Sequence, residues 1–152
     1  MKTLQVTNGD IQLDSGGRLQ FLQGTSKLVQ DLTLWLKEPL GVGFTTPNFG
    51  STLPSMIGGT IGTATIVQVQ AEVQRILNLY QSQQILSLKT AQNLSQLGYW
   101  NKSEIINSIN SVQASQSYNS IVVNVTMTSL ANTQLSIALF INSNGVRVQA
   151  NG

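Results

Sequence analysis

The side chains that could do chemistry in this sequence are carboxylates, because the chain contains neither histidine nor cysteine. Serine–histidine catalysis, cysteine–histidine catalysis and the common zinc sites are therefore excluded. Glycoside hydrolysis remains conceivable, and it needs two carboxyl groups facing each other across a cleft, one of them with a raised pKa. The six carboxylates of the chain are Asp10, Asp14, Asp31, Glu38, Glu72 and Glu104.

None of these carboxylates has a spacing specific to catalysis. Asp10 and Asp14 are four positions apart on a predicted strand, and this even offset places them on one face. Positions at strand ends and turns explain both residues equally well. Glu38 at a helix end and Glu72 within a helix have the positions of solvated or partner-facing charges. We predict no catalytic residue, no cofactor and no metal ligand, and we keep a glycosidase as an alternative.

A glycine-rich segment, residues 58–63, superficially suggests a loop that cradles phosphate. It lacks the Gly-Lys-Ser/Thr ending that supplies the cation and the metal-binding hydroxyl of such loops. It also follows a predicted helix, whereas phosphate-binding loops follow a strand. We therefore interpret the segment as a hinge before a long helix.

Charge is sparse, and its distribution argues against two kinds of partner. Only 9% of residues are charged, and the eight lysines and arginines are spread along the whole chain. Nucleic-acid binding needs several cations on one face, so none is predicted. The longest apolar run, residues 57–69, is broken by glycine, threonine and glutamine, and no apolar segment of a signal peptide follows the N-terminus. Membrane contact is not predicted either.

The pattern of apolar residues along the chain predicts an α+β fold in one domain, residues 1–152. Short alternating segments around the Asn8-Gly9 turn predict a β-meander over residues 1–24. Helical spacing predicts a helical part over residues 25–110. Period-two alternation then predicts a C-terminal antiparallel sheet with one apolar face over residues 111–152.

Three helices are expected in the helical part, together with a short helix that Ser51 or Thr52 caps and that runs to residue 57. The first begins at an N-cap of Thr25 or Ser26 and ends before Pro39. The second begins near Thr63 or Thr65, and the pattern leaves open whether residues 85–94 continue it. A third, short helix is predicted to follow a capping box at Asn101 and to contain Ile105, Ile106 and Ile109.

The second helix carries apolar residues at alternating spacings of three and four, which is an a/d heptad seam. Such a seam fits ordinary packing within the chain, and it also fits a bundle with another chain. We call this set of residues the inner seam: Ile66, Val69, Val73, Ile76 and Tyr80.

The order of features resembles a family of phage proteins. A strand region at residues 10–24 is followed by a helix with Gln30-Asp31-Leu32 and Leu36, and then by a Pro-x-Phe-Gly-Ser-x-Leu turn at residues 47–53. Together these resemble the baseplate wedge family of contractile tails, also called sheath initiators. Its members are often labelled lysozyme-like, a label that the residues here do not support. The family's Glu-Pro-Arg-Ile signature has its nearest match in Glu72-Val73-Gln74-Arg75-Ile76, which lacks the proline.

The resemblance implies a structural, non-enzymatic protein of the bacteriophage virion, made in the host cytoplasm and located in the tail baseplate. It implies that the helices bundle with other baseplate wedge proteins and that the C-terminal sheet templates the first ring of the tail sheath protein by strand exchange. The tail tube is a further expected partner, whereas nucleic acid and membrane are not.

On this basis the candidate partner-binding residues combine the inner seam with the basic residue of the signature: Ile66, Val69, Val73, Arg75, Ile76 and Tyr80. The candidate motif-turn residues are Pro47, Phe49, Gly50 and Leu53. Two alternatives stay open, a cell-wall-degrading glycosidase of the tail and a ring-forming tail tube or terminator protein.

Overall fold

A computed structural model describes residues 1–56, 60–95 and 97–151, without the side chains of Tyr99 and Asn151. Short strand pairs come first, two helices follow, and a four-stranded antiparallel sheet ends the chain, so the predicted α+β class is confirmed. The elements are β1 (Thr3–Leu4), β2 (Val6–Thr7), β3 (Asp10–Ile11), β4 (Phe21–Leu22), α1 (Thr25–Lys37), α2 (Thr63–Asn93), β5 (Ile106–Ser117), β6 (Ser120–Ser129), β7 (Gln134–Asn142) and β8 (Gly145–Asn151). Neither helix is long and apolar enough to cross a membrane, as far as the described residues go.

The N-terminal strands form two nested antiparallel pairs. β2 pairs with β3 inside a pair made by β1 and β4. Asn8 and Gly9 join β2 to β3 with φ angles of 53° and 86°, the positive values that a two-residue hairpin turn requires. The predicted turn at Asn8-Gly9 is therefore confirmed.

Helix α1 buries one leucine per turn, at Leu28, Leu32 and Leu36. It ends at Lys37 because Glu38 is extended, as the residue before a proline must be. Its N-cap is Gly24, so the predicted cap at Thr25 or Ser26 was one or two residues too late. Gly24 has a φ of 67°, and its N–H donates to Glu104 Oε1 at 2.8 Å.

Helix α2 is continuous over 31 residues, which resolves the open question about residues 85–94. Its second half stays attached to the fold through Gln84 and Ala91, both buried. Residues 58 and 59 of the predicted hinge before α2 lie outside the described residues.

The C-terminal sheet has the strand order β5-β6-β7-β8 and begins at Ile106, not at residue 111. Asn101 is an N-cap as predicted, since its side chain accepts from Ser103 N–H. It begins only a 3-10 turn, Lys102–Glu104, so the prediction that Ile105, Ile106 and Ile109 continue a helix was wrong. Register shifts between Ile106 and Ser108 and between Ile109 and Ser111 each add a residue to β5. These bulges put Ile106, Ile109 and Val112 at a spacing of three, which imitates a helix.

One face of the sheet packs on both helices and forms the core with them. Its alternate residues are buried along β6 and β7, as expected for an antiparallel sheet with one covered face. They are Ile121, Val123, Val125, Met127, Leu135, Ile137, Leu139 and Ile141.

Candidate functional site

The motif turn at residues 47–53 is held against the end of α1 by its backbone. Ser51 N–H donates to Glu38 O at 2.8 Å, and Leu40 N–H donates to Ser51 O at 3.0 Å. Gly50 is buried with a φ of 102°, and a Cβ there would lie 2.6 Å from Glu38 O. Only glycine fits this close approach of two backbone segments.

Side chains of the same turn pack inward. Phe49 meets Trp35 edge-on, with ring centroids 4.7 Å apart, and Trp35 in turn meets Tyr80 at 5.8 Å. Leu53 is fully buried, whereas Pro47 is exposed. Phe49 and Gly50 thus pack against α1 and its end, and Leu53 lies in the core that α1 and α2 share.

Glu72 connects this turn to α2. Its carboxylate accepts from Thr52 N–H at 2.8 Å and from Arg75 Nε and Nη2 at 2.7 and 2.8 Å. The Arg75 hydrogen bonds lower the pKa of Glu72, burial opposes this shift, and Thr52 N–H adds to it. The same pair raises the pKa of Arg75. The glutamate of the signature-like segment therefore has a structural partner inside the fold.

Tyr80 is anchored to α1. Its hydroxyl donates to Asp31 Oδ2 at 3.1 Å, and the same carboxylate oxygen accepts from Lys27. Burial raises the pKa of Tyr80, and the negative charge of Asp31 acts in the same direction. This polar contact closes the α1–α2 interface beside the Trp35 ring.

The structure places most of the predicted partner-binding residues in the core of the chain itself. Val69, Val73 and Ile76 are fully buried, Tyr80 is nearly so, and Ile66 packs against the same cluster. Of this set only Arg75 is exposed. This is the ordinary-packing alternative for the inner seam, because a bundle through these residues would require α2 to leave its own sheet.

The carboxylates are mostly occupied by backbone groups or cations. Asp10 and Asp14 accept from N–H groups of their own turns. Buried Glu104 accepts from Gly24 N–H at 2.8 Å and from the Met1 amine at 3.1 Å. Across residues 1–56, 60–95 and 97–151, no three acidic side chains lie close enough together to hold a metal ion.

The two outer strands of the sheet differ in how their backbones are covered. Along β5, Gln70 Oε1 accepts from Ala114 N–H at 3.0 Å, and Gln81 Nε2 donates to Asn107 O at 2.9 Å. Just before β5 and at its first residue, Gln84 donates to Glu104 O at 2.7 Å and accepts from Ile106 N–H at 3.0 Å. Three glutamines of α2 therefore cover the β5 edge in part, at its start and at Ala114.

The β8 edge has no such cover from the described side chains. It pairs with β7 without a register shift, contains no proline and has Arg147 as its single charged residue. Because alternate residues of an antiparallel strand direct their N–H and C=O groups away from the neighbouring strand, three or four of its residues face outward. β8 is thus the edge available for a further strand.

The glutamines that cover β5 were not predicted from the sequence. The signal was present, since Gln70, Gln81 and Gln84 flank the apolar stripe of α2 at separations of 11 and 3 residues, which return to one side of a helix.

Comparison with protein-family models, curated proteins and solved structures finds no match for the chain.

Proposed function

We propose that this chain is a structural, non-enzymatic component of the baseplate of a contractile bacteriophage tail. In this proposal it resides in the virion after synthesis in the host cytoplasm. It contacts other wedge proteins through helix surfaces and accepts a strand of the tail sheath protein on its C-terminal sheet. The observation that carries the proposal is the uncovered β8 edge in a sheet whose other edge is covered.

Strand addition suits this edge for physical reasons. Main-chain hydrogen bonds to an added strand supply affinity with little dependence on sequence, and the alternate side chains supply specificity. Long, flat edges with few charges are usually protected in proteins that remain alone. An edge left open beside a protected one therefore supports a role in assembly.

Contacts with other wedge proteins are assigned to the outside of α2, because the inner seam is already covered by the sheet. Exposed apolar residues lie there at Val67, Ile85 and Leu86. The exposed guanidinium of Arg75 adds a hydrogen-bond donor. No observation favours the glycosidase or the ring-forming alternative over this proposal.

Two glutamines give a matched test of the β8 edge. Gln113 on β5 and Gln149 on β8 are both exposed. They stand at the two ends of one cross-strand row through Asn124 and Ala138. Lysine on an edge strand opposes strand addition, so Gln149→Lys should remove the sheath protein from the assembly and Gln113→Lys should not.

The experiment is co-expression with the proteins encoded beside this chain, followed by size exclusion and light scattering. We expect a heteromeric complex for the wild type and for Gln113→Lys, and loss of the sheath protein alone for Gln149→Lys. Equal thermal stability of both variants is the folding control. A closed homo-oligomer would support a ring-forming protein instead. A monomer that binds none of the co-expressed proteins would overturn the proposal.

A further inference from the structure

The backbone groups that β8 directs away from β7 belong to three residues. A two-residue turn joins the two strands and sets Asn142 opposite Gly145, so this closing pair and every second pair after it exchange hydrogen bonds. The residues between those pairs direct their N–H and C=O groups outward. They are Val146, Val148 and Ala150.

The side chains of these three residues lie on the core face of the sheet. Val146 is buried, Val148 is half-buried and packs against the core cluster, and Ala150 is exposed. Each ends a row of apolar residues that crosses β6 and β7, and no described strand continues the row beyond β8. The three rows are Ile121-Ile141-Val146, Val123-Leu139-Val148 and Val125-Ile137-Ala150.

The outer face of β8 carries one positive charge. Arg147 is the single charged residue of residues 105–152, its side chain is exposed, and within the part of the chain that the structure describes it forms no ion pair. It borders a hollow of about 300 Å³, and none of the described residues that line this hollow is acidic. The hollow is lined also by the hydrogen-bonding side chains of Ser120, Asn142 and Asn144. This part of the edge therefore favours an approaching carboxylate.

From these features we infer that the β8 edge selects an antiparallel strand with apolar residues at alternate positions and an acidic residue opposite Arg147. In chain order, five residues of that strand are apolar, polar, apolar, acidic and apolar. They lie opposite Ala150, Gln149, Val148, Arg147 and Val146, in that order. The inference rests on the proposed function in treating β8 as an acceptor of a strand, and it adds the kind of strand that β8 accepts.

Apolar residues are required on the core face because directly opposite residues of neighbouring strands share a face. The residues opposite Val146, Val148 and Ala150 extend the three apolar rows by one position each, and burial of their apolar area adds affinity to the main-chain hydrogen bonds. The outward groups of β8 fix the register. A strand shifted by one residue would place its polar side chains on the apolar rows.

The acidic residue discriminates between strands that share this alternation. The new pair at Arg147 exchanges no main-chain hydrogen bonds, and the side chains of such pairs lie closest, with Cβ atoms about 4.5–5.5 Å apart. A carboxylate of the incoming strand therefore reaches the guanidinium, whereas a lysine or arginine there is repelled. The antiparallel direction is favoured because all pairs of this sheet are antiparallel and antiparallel pairing is slightly more stable per residue.

A second copy of this chain does not meet these requirements at β8. Antiparallel pairing of two β8 strands through all three outward residues centres on Val148 and sets Arg147 opposite Gln149 of the other copy. β8 contains no acidic residue, so neither guanidinium gains a counter-charge from the other copy's strand. The required occupant is therefore a segment of a different protein.

Two peptides of identical composition test the strand and its direction. The matched peptide contains Val-Thr-Val-Glu-Val, and the exchanged peptide contains Val-Glu-Val-Thr-Val with the same flanking residues. Titration into the isotope-labelled chain gives each dissociation constant from the NMR shifts of the Val146, Val148 and Ala150 amides. We expect the matched peptide to bind about three- to fivefold more tightly, because its glutamate faces Arg147 whereas that of the exchanged peptide faces Gln149.

Variants at Arg147 separate the charge from the rest of the edge. Arg147→Gln should bind both peptides equally. Arg147→Glu should prefer a third peptide, in which lysine replaces the glutamate of the matched peptide, over the matched peptide itself. Arg18→Gln, which removes an exposed cation of the N-terminal strands, is the control and should keep the preference of the wild type.

Three results would overturn the inference: equal binding of the two peptides to the wild type, tighter binding of the exchanged peptide, or no shift of the β8 amides with either. Any of these together with loss of the sheath protein from the Gln149→Lys complex would leave the proposed function standing. A monomer in the co-expression experiment that still shows the expected peptide preference would overturn the proposed function alone.

Discussion

The two edge strands of the sheet differ in whether side chains of the same chain hydrogen-bond to their backbones. β5 is twelve residues long, has two register shifts and receives three glutamines of α2 on or beside its backbone. β8 is seven residues long, pairs regularly with β7 and receives no side-chain hydrogen bond within the described part of the chain. The difference indicates that edge protection here is local and comes from glutamine side chains of α2.

The supports of the two edges also come from different directions. α2 contacts β5 along its length, whereas α1 and the turn Leu53–Met56 contact β8. Leu53, which the motif turn shares with this second turn, is fully buried. The end of the motif turn therefore packs on the β8 side of the fold, while the outer edge of β8 stays open. Substitutions in either support should therefore affect one side more than the other.

The largest expected effect comes from removing the strongest cover of β5. Gln84→Leu leaves Glu104 O and Ile106 N–H buried without their partner, and each buried unsatisfied group costs about 1–3 kcal/mol. We expect a loss of about 2–4 kcal/mol in the free energy of unfolding. Urea unfolding followed by the fluorescence of Trp35 and Trp100 measures it.

Gln83→Leu, on an exposed neighbour in α2, is the control for Gln84→Leu and should change stability by less than about 0.5 kcal/mol. Hydrogen exchange adds a local measurement. The Ile106 amide should exchange faster in Gln84→Leu while amides of β8 keep their rates. A loss no larger than that of the control would contradict the role of Gln84 in covering β5.

How much of this contrast was predictable from the sequence depends on the range of the interaction. The fold class, the long helix and the apolar face of the sheet follow from local periodicity. The spacing of Val69 and Val73 predicts the helix, and the alternation around Ile137 predicts the strand. The bulges of β5 do not, because spacing of three at Ile106, Ile109 and Val112 is ambiguous until β6 provides the register. The pairing of Gln84 with Ile106 across 22 residues depends on tertiary placement.

For the same reason, the sequence could not decide whether the inner seam packs within the chain or against another chain. Heptad spacing shows that one face of α2 is apolar, but it does not identify what covers that face. The sheet covers it here, which accounts for full burial of Val73 and Ile76. The contacts of the motif turn depend on tertiary placement in the same way. Its residues were identified from the sequence, but their contacts with Trp35 and α1 were not.

A smaller effect is expected on the β8 side when the link between α2 and the motif turn is weakened. In Glu72→Gln the amide keeps an acceptor for Thr52 N–H but loses the charge that pairs with Arg75. Because the Arg75 side chain is 44% exposed, solvent screens much of that pair. We expect a loss of about 1–2 kcal/mol at neutral pH.

The pH dependence of this effect has a definite sign. The pKa of Glu72 in the fold lies below its ordinary value of 4.5, so the unfolded chain binds more protons between the two values. The stabilisation is therefore fully present above about pH 4.5 and is lost as the pH falls through the folded pKa. The gap in the free energy of unfolding between wild type and Glu72→Gln should therefore narrow in acid, which urea unfolding at a series of pH values measures.

The smallest expected effect concerns the exposed end of the β5 cover and tests whether protection controls strand capture. Gln70→Ala removes the acceptor of Ala114 N–H, but water can replace it, so the free energy of unfolding should fall by less than about 1 kcal/mol. The consequence for assembly should be larger than the consequence for stability, because a short outward-facing stretch of β5 becomes available.

A fluorescent peptide copying β8 provides the readout, with binding followed by anisotropy. It should bind Gln70→Ala more tightly than the wild type, and adding Gln113→Lys to the variant should reverse the gain. Gln68→Ala, an exposed glutamine of the same helix turn, should bind the peptide as the wild type does. Unchanged binding in Gln70→Ala would mean that the bulges of β5, and not the glutamines, keep that edge closed.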